Sequence, residues 1–320
     1  MELRQNYTLR GNTKPQSHII TVGGGKGGIG KSFISSSIAI FLANQGYRTV
    51  LVDLDLGCAN LHTYLGLNKI NKGISNFLNS NDTALDNYII PTSFPQLGLI
   101  TTNDPDNFDS SQINILQKSK LMSALFKLKA DYIIFDLSAG TTETTLDFYL
   151  MGNSNILVTT PEPSSIENAY RFLKSSFYRK LKRIENQMGI KDTVAHLMSN
   201  KEALNIKSPY DLLKAIYMSD KEKGEQLMRN LSQFSPYFIL NQTRSPRDIS
   251  LGYSIKSVCH KYFGLKGEFL GHVDHDNAVW QSLRNRKHLL VEYPHSQLYA
   301  QLMNITRAIT KKNEYLNKVA

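Results

Sequence analysis

The sequence predicts an α/β fold: a mainly parallel sheet of about seven strands, with helices on both faces and a helical insertion. Three features point there. Seven short, apolar, largely β-branched runs are separated by stretches whose apolar residues recur at helical spacing. Strand–helix alternation of this kind connects parallel strands. The first run opens into a glycine-rich loop ahead of a helix, and two later runs end in acidic residues. Those positions are the carboxyl ends of strands, where ligands sit in such sheets. With 320 residues and 41% hydrophobic content, the chain has enough apolar mass for a large core.

Residues 1–17 are polar and lack the apolar stretch of a signal peptide, so they are expected to be a mobile leader ahead of a single domain over 18–320. The first strand is expected over 18–22. Gly25-Lys26-Gly27-Gly28-Ile29-Gly30-Lys31-Ser32 follows and fits G-x-x-x-x-G-K-[ST] between a strand and a helix. Glycines at 25, 27, 28 and 30 let backbone N–H groups, that of Ile29 included, wrap phosphates at a helix N-terminus, where the dipole favours anions. Lys31 then bridges the outer phosphates and the Ser32 hydroxyl ligates Mg²⁺. The helix over 32–45 repeats Ile34, Ile38, Phe41 and Leu42 and stops at Gly46, a plausible C-terminal cap.

The second run, 49–55, ends in Asp53-Leu54-Asp55, with Asn60 shortly after. Alternation puts both carboxylates on one face, and two such charges need a cation or donors beside them. A Mg–nucleotide site meets that need; capping of the loop by Asp53 is the structural alternative. Runs at 97–101 and 131–136 follow, the second ending in Asp136-Leu137-Ser138-Ala139-Gly140, an acid after an apolar strand as in a Walker B motif. The run at 155–160 leads into Thr159-Thr160-Pro161-Glu162-Pro163-Ser164-Ser165-Ile166-Glu167-Asn168-Ala169-Tyr170. The run at 237–241 ends in Leu240-Asn241-Gln242, and that at 268–273 leads into Asp274.

Lys26, inside the loop, gives the pattern Lys-Gly-Gly-x-Gly-Lys-Ser, which resembles the deviant Walker A of the MinD/ParA family of dimerising ATPases, P-loop NTPases of the SIMIBI type. The 159–170 stretch resembles the FlhG/FleN flagellar-number branch more than MinD. The resemblance covers about 18–170 and 236–310. It implies ATP and Mg²⁺ as ligands and an ATP-bridged homodimer. In such a dimer Lys26 crosses to the partner's nucleotide, in the manner of an arginine finger. It further implies that Asp55 orients the attacking water and that Asp53 and Asp136 support the Mg²⁺ shell with Ser32. Asn60 and Gly140 would sense the γ-phosphate, and Asn241 would pair with adenine, a strand-end cap being the other reading of Asn241. Ser138 and Asp274 depart from the family pattern, so its contacts are not carried over there. The activity implied is slow, dimer-activated, Mg-dependent ATP hydrolysis by a spatial or number regulator. The protein would be cytoplasmic or peripheral at the inner face of the cell membrane, and a flagellar GTPase or a polar landmark would be a fitting partner. A ParA-type DNA-segregation or cargo-positioning ATPase and a non-catalytic nucleotide-gated scaffold are the alternatives.

The formal charge is +10. Residues 1–160 carry 12 basic and 12 acidic side chains, while 161–320 carry 25 and 15. The densest stretch is 171–191, with Arg171, Lys174, Arg179, Lys180, Lys182, Arg183 and Lys191 against Glu185. Such a surface suits DNA or an anionic membrane, or is simply a solvated helix face. Residues 171–235 are expected to be a helical insertion broken near Gly189, Pro209 and Gly224. The stripe Leu298, Leu302, Ile305 and Ile309 suits packing on the sheet better than membrane binding. Trp280 is expected on a helix that turns its apolar side inward. His272 and His275 alternate onto opposite faces, poor geometry for one metal. Cys58 and Cys259 are too far apart in sequence for a C-x-x-C site and do not supply the paired cysteines of an iron–sulfur carrier. Gln5, Leu9 and Arg10 fall at the spacing of an element that FlhG proteins use on a partner GTPase.

Overall fold

The computed structural model describes residues 17–102 and 113–319. The expected leader, with Gln5, Leu9 and Arg10, lies outside the described residues. Among those described, eight strands form one sheet: β1 (His18–Gly23), β2 (Thr49–Leu54), β3 (Ile90–Pro91), β4 (Leu97–Ile100), β5 (Tyr132–Leu137), β6 (Ser154–Thr159), β7 (Tyr237–Thr243) and β8 (Glu268–Asp274). The order is β3-β4-β2-β5-β1-β6-β7-β8, parallel throughout except at β3/β4. All seven anticipated runs are strands. The additional one, β3, is two residues on the sheet edge, too short to show an alternation. Its Pro91 lacks the N–H that an inner strand would need.

The inner strands send alternate side chains to two separate cores. Ile19, Val50, Val52, Ile133, Phe135, Leu157 and Phe238 face one; Ile20, Leu51, Ile134, Ile156, Val158 and Ile239 face the other. A sheet apolar on both sides must be covered on both. The helices among the described residues are α1 (Lys31–Asn44), α2 (Leu61–Tyr64), α3 (Ile74–Asn79), α4 (Ile115–Phe126), α5 (Glu143–Tyr149), α6 (Pro163–Met188), α7 (Lys191–Ser199), α8 (Pro209–Ser219), α9 (Lys221–Ser232), α10 (Pro246–Phe263), α11 (Asn277–Arg284), α12 (Leu289–Glu292) and α13 (Gln297–Val319). Helix α1 stops as anticipated. Gly46 has φ 90°, its N–H donates to the Ala43 carbonyl, and the Tyr47 N–H donates to the Leu42 carbonyl, a Schellman ending. In α13 the stripe Leu298, Leu302, Ile305 and Ile309 is fully buried, against α1 and β8.

Two expectations are corrected. The chain breaks not at Gly224 but one turn earlier, at Asp220, whose carboxylate accepts the Lys223 N–H at 3.0 Å and caps α9. Gly224 sits inside α9, where a Cβ would come within 2.4 Å of the Tyr217 backbone, so the residue permits close packing of α8 on α9. Trp280 points outward, 60% exposed, with the Arg284 guanidinium 4.8 Å above its ring. The inward side of α11 is Ala278, Val279, Ser282 and Leu283.

The basic stretch from Arg171 to Arg183 lies on α6, a single helix that starts at Pro163 and ends at the left-handed Gly189, and Lys191 opens α7. Much of its charge is paired within the chain. Arg171 bonds Glu167 one turn away. Arg179 donates to Asp147 of α5 through Nε and Nη2, both at 2.9 Å, and to Glu143; Arg183 also donates to Asp147, as does Lys118 of α4 at 2.7 Å. Asp147 is therefore a buried carboxylate inside three cations. Burial alone would raise its pKa, but the bonds from Arg179 and Lys118 and the charge of Arg183 bring it down to about 2.

Candidate functional site

In the sheet β5 lies between β1 and β2, so the loop after β1 and the acidic ends of β5 and β2 meet at one rim. Asp136 stands opposite Val22 on one side and opposite Asp53 on the other. The glycine-rich loop is held at both shoulders. At Gly25 a Cβ would lie 2.2 Å from the Asn168 carbonyl of α6; at Gly30, where φ is 88°, it would lie 2.2 Å from Asn241 Nδ2. Gly27 and Gly28 form the exposed tip, and Ile29 is buried beneath it. Helix α1 begins at Lys31 with no side-chain cap, which leaves its first N–H groups facing the loop.

Lys31 is 8% exposed and has no ion-pair or hydrogen-bond partner among the described residues. Its charge reaches Asp55 and Asp136 only at longer range. Asp136 is buried and its Oδ1 has no hydrogen-bond partner. Burial raises its pKa to about 6, against the Ser32 hydroxyl, the Lys31 charge and the Ser35 hydroxyl. Asp53 is also buried, but both its oxygens are engaged in its own loop. Oδ1 accepts the Asp55 N–H at 3.1 Å, while Oδ2 accepts the Leu61 N–H at 3.2 Å and the Thr101 hydroxyl at 3.4 Å. Burial, then the neighbouring Asp136, holds its pKa well above the usual carboxylate range. Half-buried Asp55 is raised too, by burial, with Lys31 opposing. An orphaned buried carboxylate oxygen beside a serine hydroxyl is the hard-oxygen set that suits Mg²⁺. With phosphates present, one or two carboxylates suffice.

Other anticipated residues are placed as follows. Lys26 bonds Glu162 at 2.9 Å and the Ser164 hydroxyl at 3.1 Å, at the start of α6 of its own chain. Gly140 has φ 94°, and its N–H donates to the Gly24 carbonyl at 3.3 Å. The Ser138 hydroxyl joins that of Thr145, which also meets Thr142, tying the loop after β5 to α5. Exposed Asn60 donates to the Cys58 carbonyl. Asn241 donates to the Ile29 carbonyl at 2.8 Å, and Gln242, with φ 60°, donates to the Gly28 carbonyl at 3.2 Å. Asp274 is fully engaged: it accepts from Thr243, Gln297 and Gln301. Sequence reasoning assigned no role to Glu162, although an acid directly before Pro163 at a helix start was a usable signal. Thr101 and Gln242 carried none.

A strand, a glycine loop and a capless helix around an unpaired lysine, flanked by acids on neighbouring parallel strands, define a P-loop NTPase. Residues 16–201 match the ParA family, described as NUBPL iron-transfer P-loop NTPase. The chain belongs to this ParA family of P-loop NTPases. It is 29% identical over 203 residues to the septum site-determining protein MinD of Helicobacter pylori, covering 61% of this chain and 74% of that one. It is 33% identical over 174 residues to the flagellum site-determining protein YlxH of the same organism, covering 52% and 55%. Its fold is shared with the solved septum site-determining protein MinD from Pyrococcus horikoshii, complexed with Mg-ADP. The TM-score is 0.61 at 21% identity, over 93% of this chain and 97% of that one.

Proposed function

We propose that the chain is a Mg²⁺-dependent ATPase that dimerises on ATP and acts as a spatial or number regulator of a cellular structure. The observation that carries this reading is the pair of unmet demands at the loop. Among the described residues, Lys31 is a nearly buried cation with no ion-pair or hydrogen-bond partner, and Asp136 Oδ1 is a buried carboxylate oxygen with no hydrogen-bond partner, Lys31 acting on it only at longer range. Leaving either so is costly, and a Mg–nucleotide supplies both counterparts. The MinD and YlxH relatives support the regulatory part of the proposal.

In this reading the loop N–H groups of residues 25–30 and the Lys31 ammonium bind the phosphates. Ser32 and Asp136 would hold Mg²⁺, which when bound neutralises charge between the outer phosphates. Asp53 shapes the loop that carries Asp55 through the bonds its oxygens accept, and would support the Mg²⁺ shell through its remaining lone pairs. Asp55 orients the attacking water, and Asn60 and Gly140 read the γ-phosphate. Asn241 uses its nitrogen on Ile29 and turns its oxygen to the adenine amino group. Lys26 leaves Glu162 for the partner's nucleotide. That pair is exposed and contributes little, so exchange for a phosphate is favourable.

The iron-transfer activity in the family's description has no paired cysteines to rest on: Cys58 is exposed and Cys259 buried. A docking role for DNA or an anionic membrane is weakened at α6, because Arg171, Arg179 and Arg183 are paired internally. A protein partner therefore fits better. The test is Lys26→Ala, followed by light scattering after gel filtration with and without Mg–ATP. The expected result is a wild-type dimer with ATP and a variant that binds ATP as a monomer. A variant that dimerises like the wild type would overturn the assignment of Lys26.

A further inference from the structure

We propose that His288, acting through Ser36, is a positioning residue for the Ser32 metal seat, so that the segment between α11 and α12 and the phosphate loop share one hydrogen-bond relay. The inference rests on reading the loop as a Mg–nucleotide site.

His288 immediately precedes α12 and is 2% exposed. Its Nδ1 accepts the Leu290 N–H at 3.2 Å, so the ring proton is on Nε2. Nε2 lies 3.1 Å from the Ser36 hydroxyl, 252 residues earlier. That hydroxyl donates in turn to the Ser32 carbonyl at 2.6 Å, with Phe33's carbonyl a weaker second acceptor at 3.2 Å. The direction is thus fixed: imidazole N–H to serine oxygen, serine O–H to the carbonyl of the residue whose hydroxyl faces Asp136. Burial, which lowers the His288 pKa to about 3, keeps the ring neutral and the direction single. The ring is held in place by Phe33, stacked at 5.9 Å and 17°, with Tyr64 tilted at 6.5 Å.

The surroundings argue against simple space-filling. Ser36 is fully buried in the apolar layer formed by Phe33, Ile34, Leu61 and Leu289, where alanine would pack without any polar demand. The Ser32 carbonyl receives the Ser35 hydroxyl as well, at 3.2 Å. Serine back-bonding of this kind perturbs the local helix geometry, and both bonds fall on the first turn of α1. The orientation of that turn sets where the Ser32 hydroxyl points. A hydrogen bond behind a metal ligand orients it, and removing such a partner costs metal affinity about 10–100-fold.

The experiment measures the affinity of fluorescent ADP with saturating Mg²⁺ and again in EDTA, for wild type and five variants. Ser36→Ala is expected to leave the EDTA affinity within about twofold and to cut the Mg²⁺ enhancement by about tenfold. His288→Leu should match it, the double variant should lose no more than either alone, and His288→Gln, which keeps an N–H donor, should recover part of the enhancement. Ser37→Ala is the control. Ser37 back-bonds Phe33 at 2.6 Å but has no link to His288, so its variant should behave as wild type. A Ser36→Ala protein with the full wild-type enhancement would overturn the relay alone. A wild type with no enhancement would remove the site reading and the relay with it. Unchanged near-ultraviolet dichroism of Ser36→Ala guards the comparison if the His288 variants fail to fold.

Discussion

Replacing Asp147 with Asn deletes the charge that Lys118, Arg179 and Arg183 share and leaves exposed Glu143, paired with Arg179, as the remaining acid of the cluster. The folded carboxyl titrates at about 2 against an ordinary 3.8, and each tenfold change in proton affinity corresponds to about 1.36 kcal/mol, giving roughly 2.4 kcal/mol. Lys118, Arg179 and Arg183 have side chains 20%, 21% and 38% exposed, so solvent screens part of it. An expected loss of about 1.5–2.5 kcal/mol at neutral pH allows for that. Because the folded pKa is depressed, the stabilisation is complete above the unfolded value of 3.8 and disappears as pH falls through about 2. Urea unfolding of both proteins at pH 7 and pH 3 provides the assay. The Asn variant should be the weaker at pH 7, and the gap should shrink by about 1 kcal/mol at pH 3, where half or more of the unfolded-state carboxyls are protonated. A gap below about 0.5 kcal/mol at pH 7, or one that does not change with pH, would refute the cluster as a source of stability.

Lys31→Met should separate function from folding. It removes a buried, unpaired cation, so thermal melting of the nucleotide-free protein should hold or rise, while equilibrium dialysis should show nucleotide binding reduced about 100-fold or more. A drop in melting temperature would mean that Lys31 has a stabilising partner in the free protein. Gly30→Ala combines a left-handed backbone with a 2.2 Å approach to Asn241. It should cost about 1–3 kcal/mol in chemical unfolding and break the Asn241–Ile29 bond; a neutral result would mean the loop readily changes shape.

Much of the architecture was legible because burial on both faces of the sheet forces long apolar runs, and seven of them announce the strands. The order of β1, β5 and β2 was not readable, yet the acids that end β2 and β5 already located the rim. Asp53 could not be resolved from alternation, since a loop cap and a metal ligand require the same position; the bonds its oxygens accept show the capping half of that pair. Gly224 misled because glycine marks both chain breaks and close helix contacts. Trp280 misled because an apolar ring can be covered by its own Arg284 rather than by the core. The internal pairing of the α6 cations was beyond reach, since Lys118 and Asp147 reach them from other elements. The His288–Ser36 contact joins residues 252 positions apart, with no local pattern to announce it.

The Gly140 N–H that would read a γ-phosphate is already engaged by the Gly24 carbonyl. Binding of a triphosphate at this point is then a substitution of acceptors, not the addition of a bond. A charge-assisted bond exceeds a neutral one by about 1 kcal/mol, so this contact alone favours ATP over ADP by a factor of roughly five. If the chain dimerises on ATP as proposed, most of the preference for ATP would then have to come from the second subunit.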